Sequence, residues 1–209
     1  MFLNNISYEK SLWEKGLQII AGADEVGRGA IAGPIVTAAV SWDFQKLNKI
    51  LEDQNITEIY KINDSKKLSE KNRALLSEFI IKNANQFSIV EIDNNEIDKN
   101  GVGKANKKAL EKACQNIKNL EYALIDYFKI NLEIPVLSIT KGDQKSLSIA
   151  SASIIAKVYR DNLMKEKYHK IYPQYGFDKN VGYGTKAHMQ AIKTFGLTPI
   201  HRKSYNLVL

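Results

Sequence analysis

Asp24, Glu25, Gly27, Arg28 and Gly29 bring two carboxylates, a guanidinium and two glycines into one short segment. Two more carboxylates follow short apolar runs: Asp126 closes Tyr122-Ala123-Leu124-Ile125, and Asp143 comes just after the run 134–139 and the turn residues Lys141 and Gly142. Carboxylates gathered at one sheet edge repel each other unless divalent cations neutralise them, and an all-oxygen ligand set selects Mg²⁺ or Mn²⁺. Such a site suits phosphoryl transfer, in which one ion lowers the pKa of an attacking water and another stabilises the leaving oxygen. An adjacent acidic pair alone reads more simply as a solvated turn or an ion-pair partner. Acidic residues recurring at strand ends argue for the site.

The flanking elements must hold these groups. Leu17, Ile19 and Ile20 before the acidic pair, and the run 34–40 after it, read as buried strands forming an antiparallel pair. Successive side chains on a regular strand face opposite ways, so Asp24 and Glu25 are expected to share a site through a local departure from the pleat, permitted by Gly27 and Gly29. Phe44, Leu47, Ile50 and Leu51 predict a short helix. Ser69 is the expected N-cap of the next one, with Leu75, Leu76, Phe79 and Ile80 as its buried stripe. Residues 87–92 alternate as a third strand, and Ala105, Ala109, Ala113 and Ile117 mark a helix flanked by Lys104, Lys108 and Lys112. A long helix is expected over 146–168, its small residues 150–153 close to the sheet, with Lys157 and Arg160 on one basic face. Thr185 caps a final helix that stops at Gly196. Strands and helices in this order predict an α/β fold, with the acidic residues at the strand ends where such sheets place their sites.

Composition narrows the classes. The 209 residues suffice for one core, and no Pro/Ser-rich linker divides them. A formal net charge of +7 suits a polyanionic partner without demanding one. The first residues lack the apolar core of a signal peptide, and the longest apolar run contains Pro34, so a soluble, cytoplasmic protein without membrane association is expected. One cysteine, Cys114, excludes an internal disulfide, and with only three histidines a thiolate-rich zinc site is excluded too. Residues 27–32 match a dinucleotide-binding fingerprint, but Pro34 and the β-branched run after it deny the helix N-terminus that motif needs.

Four blocks carry a family resemblance: Gly22-Ala23-Asp24-Glu25-Val26-Gly27-Arg28-Gly29, Asp64-Ser65-Lys66-Lys67-Leu68, the stretch 149–160 with its core Ala152-Ser153-Ile154-Ile155-Ala156-Lys157, and Gly182-Tyr183-Gly184-Thr185. In order and spacing they resemble the signature blocks of ribonuclease HII, from about residue 17 to the terminus His201-Arg202-Lys203-Ser204-Tyr205. The resemblance implies a ribonuclease H-like mixed β-sheet flanked by helices, with a small C-terminal helical appendage over about 165–209 of a single domain spanning 1–209. It also implies endonucleolytic cleavage of the RNA strand of RNA/DNA hybrids and of ribonucleotide-containing duplex DNA, 5′ to single ribonucleotides, leaving 5′-phosphate and 3′-hydroxyl ends. Asp24, Glu25, Asp126 and Asp143 would then be the catalytic, metal-binding residues for Mn²⁺ or Mg²⁺. The backbone of Gly27, Arg28 and Gly29 would sense the ribose 2′-hydroxyl, Lys66 would contact phosphate, and Tyr183 would stack on the neighbouring sugar; the enzyme is expected to be a monomer.

Two positions depart from the family pattern: Tyr127 stands where glycine is usual, and Val181 where a basic residue often precedes Gly-Tyr-Gly. A catalytically silent hybrid-binding module is the alternative that Tyr127 keeps open. The related ribonuclease HIII carries an extra N-terminal domain, for which the few residues before the first strand leave no room. On plain packing grounds Lys66 and Lys67 read as a solvated face, Arg28 as a partner of Glu25, Tyr183 as loop packing, Asp161 as a helix-surface residue or one that supports the site from behind, and Cys114 as inert core.

Overall fold

The structure, a computed structural model, describes residues 5–53, 55–63, 65 and 68–206. Lys66, expected to contact phosphate, lies outside the described residues, as do Asp64 and Lys67 of the same block. Five strands, β1 (Ile20–Val26), β2 (Ile35–Ser41), β3 (Gln86–Ile92), β4 (Tyr122–Asp126) and β5 (Val136–Ile139), form one mixed sheet in the order β3-β2-β1-β4-β5. The first three are antiparallel neighbours, whereas β4 and β5 run parallel to β1. The expected antiparallel pair around the glycines is therefore present, and the parallel half places the ends of β1 and β4 side by side.

The helices are α1 (Ser7–Trp13), α2 (Phe44–Glu52), α3 (Glu70–Asn83), α4 (Asn94–Asn100), α5 (Val102–Gln115), α6 (Leu147–Asn162), α7 (His169–Ile171), α8 (Phe177–Asn180) and α9 (Lys186–Phe195). Side-chain caps start α2, α3, α6 and α9: Asp43, Ser69, Ser146 and Thr185 accept from the backbone N–H groups of Lys46, Asn72, Ile149 and His188. One sheet face packs Val36, Ala38 and Val40 against α6 and its neighbours. The other packs Ala21, Ala23, Ala39 and Ile125 against Leu110, Ala113 and Cys114 of α5. Helix α6 lies directly on β1: a Cβ at Gly22 would meet the Ser148 Cβ at 2.6 Å. That close approach brings Ser153 down onto the strand end.

Three expectations need correction. The stripe of α3 is narrower than its spacing suggests, for Leu76 and Ile80 are buried while Leu75 is 53% exposed; one end of this helix faces solvent. The long helix changes pitch after Asn162, where Leu163–Tyr168 is π-helical, and the wider turn seats the buried Met164 against Ala32, Phe177 and Val181. Lys157 and Arg160 do not form a basic face: Lys157 pairs with Asp161 at 2.8 Å, and Arg160 is wholly buried. No helix among the described residues is long and apolar enough to cross a membrane.

Candidate active site

The β1 ladder stays regular through the acidic pair, with Asp24 opposite Ala38, Glu25 opposite Thr37 and Val26 opposite Val36. The expected departure from the pleat is absent. Asp24 faces α6, where the Ser153 side chain hydrogen-bonds to it, and its Oδ1 accepts the Glu25 N–H at 2.7 Å. Glu25 faces α5 on the other side of the sheet, with Arg28 at 3.7 Å. Asp126 closes β4 one residue past the Ala23–Ile125 pairing, which puts it beside Asp24. Its Oδ1 accepts the Gly142 N–H at 2.7 Å, tying the β4 end to the turn Gly142–Gln144 that carries the buried Asp143. Asp24, Glu25 and Asp126 thus flank one edge from both faces of the sheet, with Asp143 on the adjoining turn, which is why a pleated strand can offer both members of an adjacent pair.

Their electrostatics are unbalanced. Burial holds the Asp24 carboxyl well above the usual carboxylate range, and the charges of Glu25 and Asp126 push it further up against the pull of Ser153. Burial also raises Glu25; the Asn106 amide and the Arg28 guanidinium lower it in part, while Asp126 raises it. Glu25 Oε2 and both polar atoms of the Asn106 side chain are buried without a hydrogen-bond partner. Buried acceptors carrying excess negative charge are what a divalent cation neutralises, so the donor set fits Mg²⁺ or Mn²⁺. Among the described residues no three His, Cys, Asp or Glu side chains stand close enough together to hold a metal ion by themselves. This suits an ion that keeps several waters and takes substrate phosphate oxygens beside one or two carboxylates.

The connection from β1 to β2 is held from beneath. Gly27 has φ +88°, and a Cβ there would overlap the Arg160 guanidinium. Arg160 donates to the carbonyls of Pro34 at 2.9 Å, Ala32 at 3.1 Å and Val181 at 2.8 Å. Burial lowers its pKa to about 10, still cationic at neutral pH. At Gly29 the reason for glycine is different: a Cβ would meet no protein atom within 4 Å, so the backbone is open to a close approach from outside. Arg28 is half exposed and lies over the Phe128 ring at 5.0 Å.

Tyr183 is half-buried, with the Arg160 guanidinium 5.4 Å from its ring centre. Its carbonyl ends a relay: the Thr198 N–H donates to His201 Nδ1 at 2.8 Å, which leaves the His201 proton on Nε2 to donate to His188 Nε2 at 3.0 Å, and His188 Nδ1 then donates to Tyr183 O at 2.9 Å. The two departures from the family pattern sit in left-handed backbone, Tyr127 at φ 60° and Val181 at φ 41°. Glycine would relieve the first. Val181 turns its side chain into the cluster of Ile31, Met164 and Phe177.

Sequence reasoning missed several residues that shape this site. Asn106 and Ser153 had a signal, an amide and a hydroxyl on the buried stripes of α5 and α6. Arg160 had a weaker one, a lone guanidinium after the small and apolar run of α6. Arg202, buried beneath the β1–β2 connection, had none beyond its place in the terminal block.

The family model described as Ribonuclease HII matches residues 21–208. The chain is 49% identical over 200 residues to a Ribonuclease HII of Caldanaerobacter subterraneus subsp. tengcongensis, covering 95% of this chain and 78% of that one. Among solved structures, the PCNA:RNase HII complex from Archaeoglobus fulgidus superposes with a TM-score of 0.72 at 25% identity, covering 91% of this chain and 95% of that one. Bst-RNase HIII in complex with Mn²⁺ shares the fold, with a TM-score of 0.68 at 22% identity and coverage of 91% and 68%.

Proposed function

This chain belongs to the ribonuclease HII family, a family of metal-dependent ribonucleases H, and on that premise we propose that it hydrolyses the RNA strand of RNA/DNA hybrids and nicks duplex DNA 5′ to single embedded ribonucleotides. The products carry 5′-phosphate and 3′-hydroxyl ends. The observation that carries the reading is the unbalanced carboxylate edge, with Asp24 and Glu25 raised by burial and by neighbouring carboxylate charges and Glu25 Oε2 left without a partner.

Asp24, Glu25, Asp126 and Asp143 hold Mn²⁺ or Mg²⁺ in this reading. When bound, a pair of such ions supplies an acidified water and stabilises the leaving oxygen. The protein's own groups do the rest. Ser153 and the Glu25 N–H orient Asp24, and Asp126 is oriented by the Gly142 N–H. The open backbone at Arg28 and Gly29 meets the ribose 2′-hydroxyl, the group by which a protein separates RNA from DNA. Tyr183 stacks on the next sugar, and Lys66 contacts phosphate. The enzyme acts as a cytoplasmic monomer of one domain, with about 165–209 closing over the duplex.

The test is cleavage of a DNA duplex containing one ribonucleotide, with Mg²⁺, with Mn²⁺ and with chelator. A metal-dependent nick 5′ to the ribonucleotide is expected, nearly abolished in Asp24→Asn while hybrid binding persists. A fully active Asp24→Asn protein would overturn the carboxylate assignment. Cutting of continuous hybrid alone would overturn the roles given to the 27–29 backbone and Tyr183.

A further inference from the structure

Arg202 is a buried guanidinium whose partners are backbone carbonyls and one phenol. Its Nη2 donates to Gly27 O at 2.7 Å and Gly33 O at 2.9 Å, Nε to Gly33 O at 3.1 Å, and Nη1 to Arg28 O at 2.9 Å. Tyr205 completes the cluster: its hydroxyl donates to Arg28 O at 2.6 Å and accepts from Arg202 Nη1 at 2.9 Å. Among the described residues Arg202 forms no ion pair with a carboxylate. Its segment is fixed independently, since Asp98 accepts the N–H groups of Lys203 and Ser204 at 3.0 and 2.9 Å and the Arg202 N–H reaches Ile31 O at 2.8 Å.

The two carbonyls nearest the carboxylate edge belong to particular peptide groups. Gly27 O shares its peptide plane with the Arg28 N–H, and Arg28 O with the Gly29 N–H. In a trans peptide the C=O and N–H point in opposite directions, and among the described residues every peptide bond is trans. Holding both carbonyls inward therefore turns both N–H groups outward. Among the described residues neither N–H has a backbone or side-chain acceptor, and Arg28 and Gly29 are exposed. A cation on the carbonyl side also polarises each peptide, which strengthens the N–H as a donor to an incoming oxygen.

We propose that Arg202, supported by the Tyr205 hydroxyl, is a positioning residue for ribose recognition, fixing and polarising the outward Arg28 and Gly29 N–H groups through the carbonyls of Gly27 and Arg28. It rests on the reading above that this backbone meets the 2′-hydroxyl. The arrangement gives a charged residue at the far end of the chain control over sugar discrimination, without itself touching the nucleic acid.

The experiment measures, in the Asp24→Asn protein with Mg²⁺, the affinity for two DNA duplexes identical except that one carries a single ribonucleotide and the other the matching deoxynucleotide. The ribo-to-deoxy ratio should fall about threefold in Tyr205→Phe and about tenfold in Arg202→Lys, with affinity for the all-deoxy duplex changed less than about twofold. A purely structural role would lower thermal stability or both affinities together and leave the ratio alone, and that result overturns the proposal. Tyr205→Phe removes one oxygen and keeps the ring, so it carries the test where Arg202→Lys does not fold. A ratio near one in the Asp24→Asn protein before further substitution would instead overturn the reading of the 27–29 backbone, and the proposal with it.

Discussion

Asp24→Asn should make the metal-free protein more stable while removing its activity. Asp24 is buried between like charges: Glu25 follows it on β1, and Asp126 stands beside it across the β1–β4 pairing. Adjacent strands lie about 4.8 Å apart, and two unit charges about 6 Å apart repel by roughly 3 kcal/mol at an effective dielectric of about 20. Partial protonation of a carboxyl already raised by burial cuts that figure. The variant also loses the charged character of the bonds from Ser153 and the Glu25 N–H, at about 1 kcal/mol. The Asn oxygen still accepts the N–H, and the Ser153 hydroxyl can turn to accept from the amide. A net gain of about 1–2 kcal/mol remains, or roughly 2–8 °C in melting temperature for a chain of this size.

The assay is thermal unfolding of both proteins in chelator and in Mg²⁺ or Mn²⁺. In chelator at neutral pH the variant should melt higher. Added metal should raise the parent more, because an ion at about a hundred times its dissociation constant contributes about 2.7 kcal/mol to the state that binds it. The pH dependence has a definite sign. A carboxyl whose pKa is raised on folding penalises the folded state when ionised, so the penalty is full above the raised value and is relieved as pH falls through it toward the ordinary carboxylate range. The advantage of the variant should therefore shrink on acidification. A variant less stable than the parent by 1 kcal/mol or more in chelator at neutral pH would refute the argument.

Other substitutions probe the frame around the site. Gly27→Ala places a Cβ 2.7 Å from Arg160 Cδ in backbone with φ +88°, and should cost about 3 kcal/mol or more in urea unfolding; a loss under about 1 kcal/mol would mean the connection is not held as described. Tyr127→Gly, by releasing a side chain from φ 60°, should stabilise by about 0.5–1 kcal/mol in the same measurement, and a destabilised variant would show that packing against Phe128 outweighs the strain. Burial and the neighbouring His188 hold His201 down to about 4, so the unfolded chain takes up a proton that the folded state refuses. Stability should be flat above the ordinary histidine value near 6.5, fall between there and about 4, and level off below, a window that His201→Gln should flatten in denaturation at stepped pH.

Local patterns in the chain carried a good deal of this. Alternation and β-branching marked the strands on either side of the acidic pair, Ser69 and Thr185 announced their helices, and the carboxylates Asp126 and Asp143 were visible at strand ends, because capping and pleating depend on residues a few positions apart. The same short range set the limit. Periodicity could say that Asp24 and Glu25 face opposite ways, but only the packing of α6 and α5 on the two sheet faces made both sides of one strand end part of a single acidic edge. Nor could it say that Arg160 and Arg202, polar by type, would lie buried: their carbonyl partners at Ala32, Pro34, Gly27 and Arg28 are more than 120 residues away in sequence. A charged side chain becomes interior only where the fold supplies enough acceptors to replace water, and which backbone does so is decided by the tertiary structure alone.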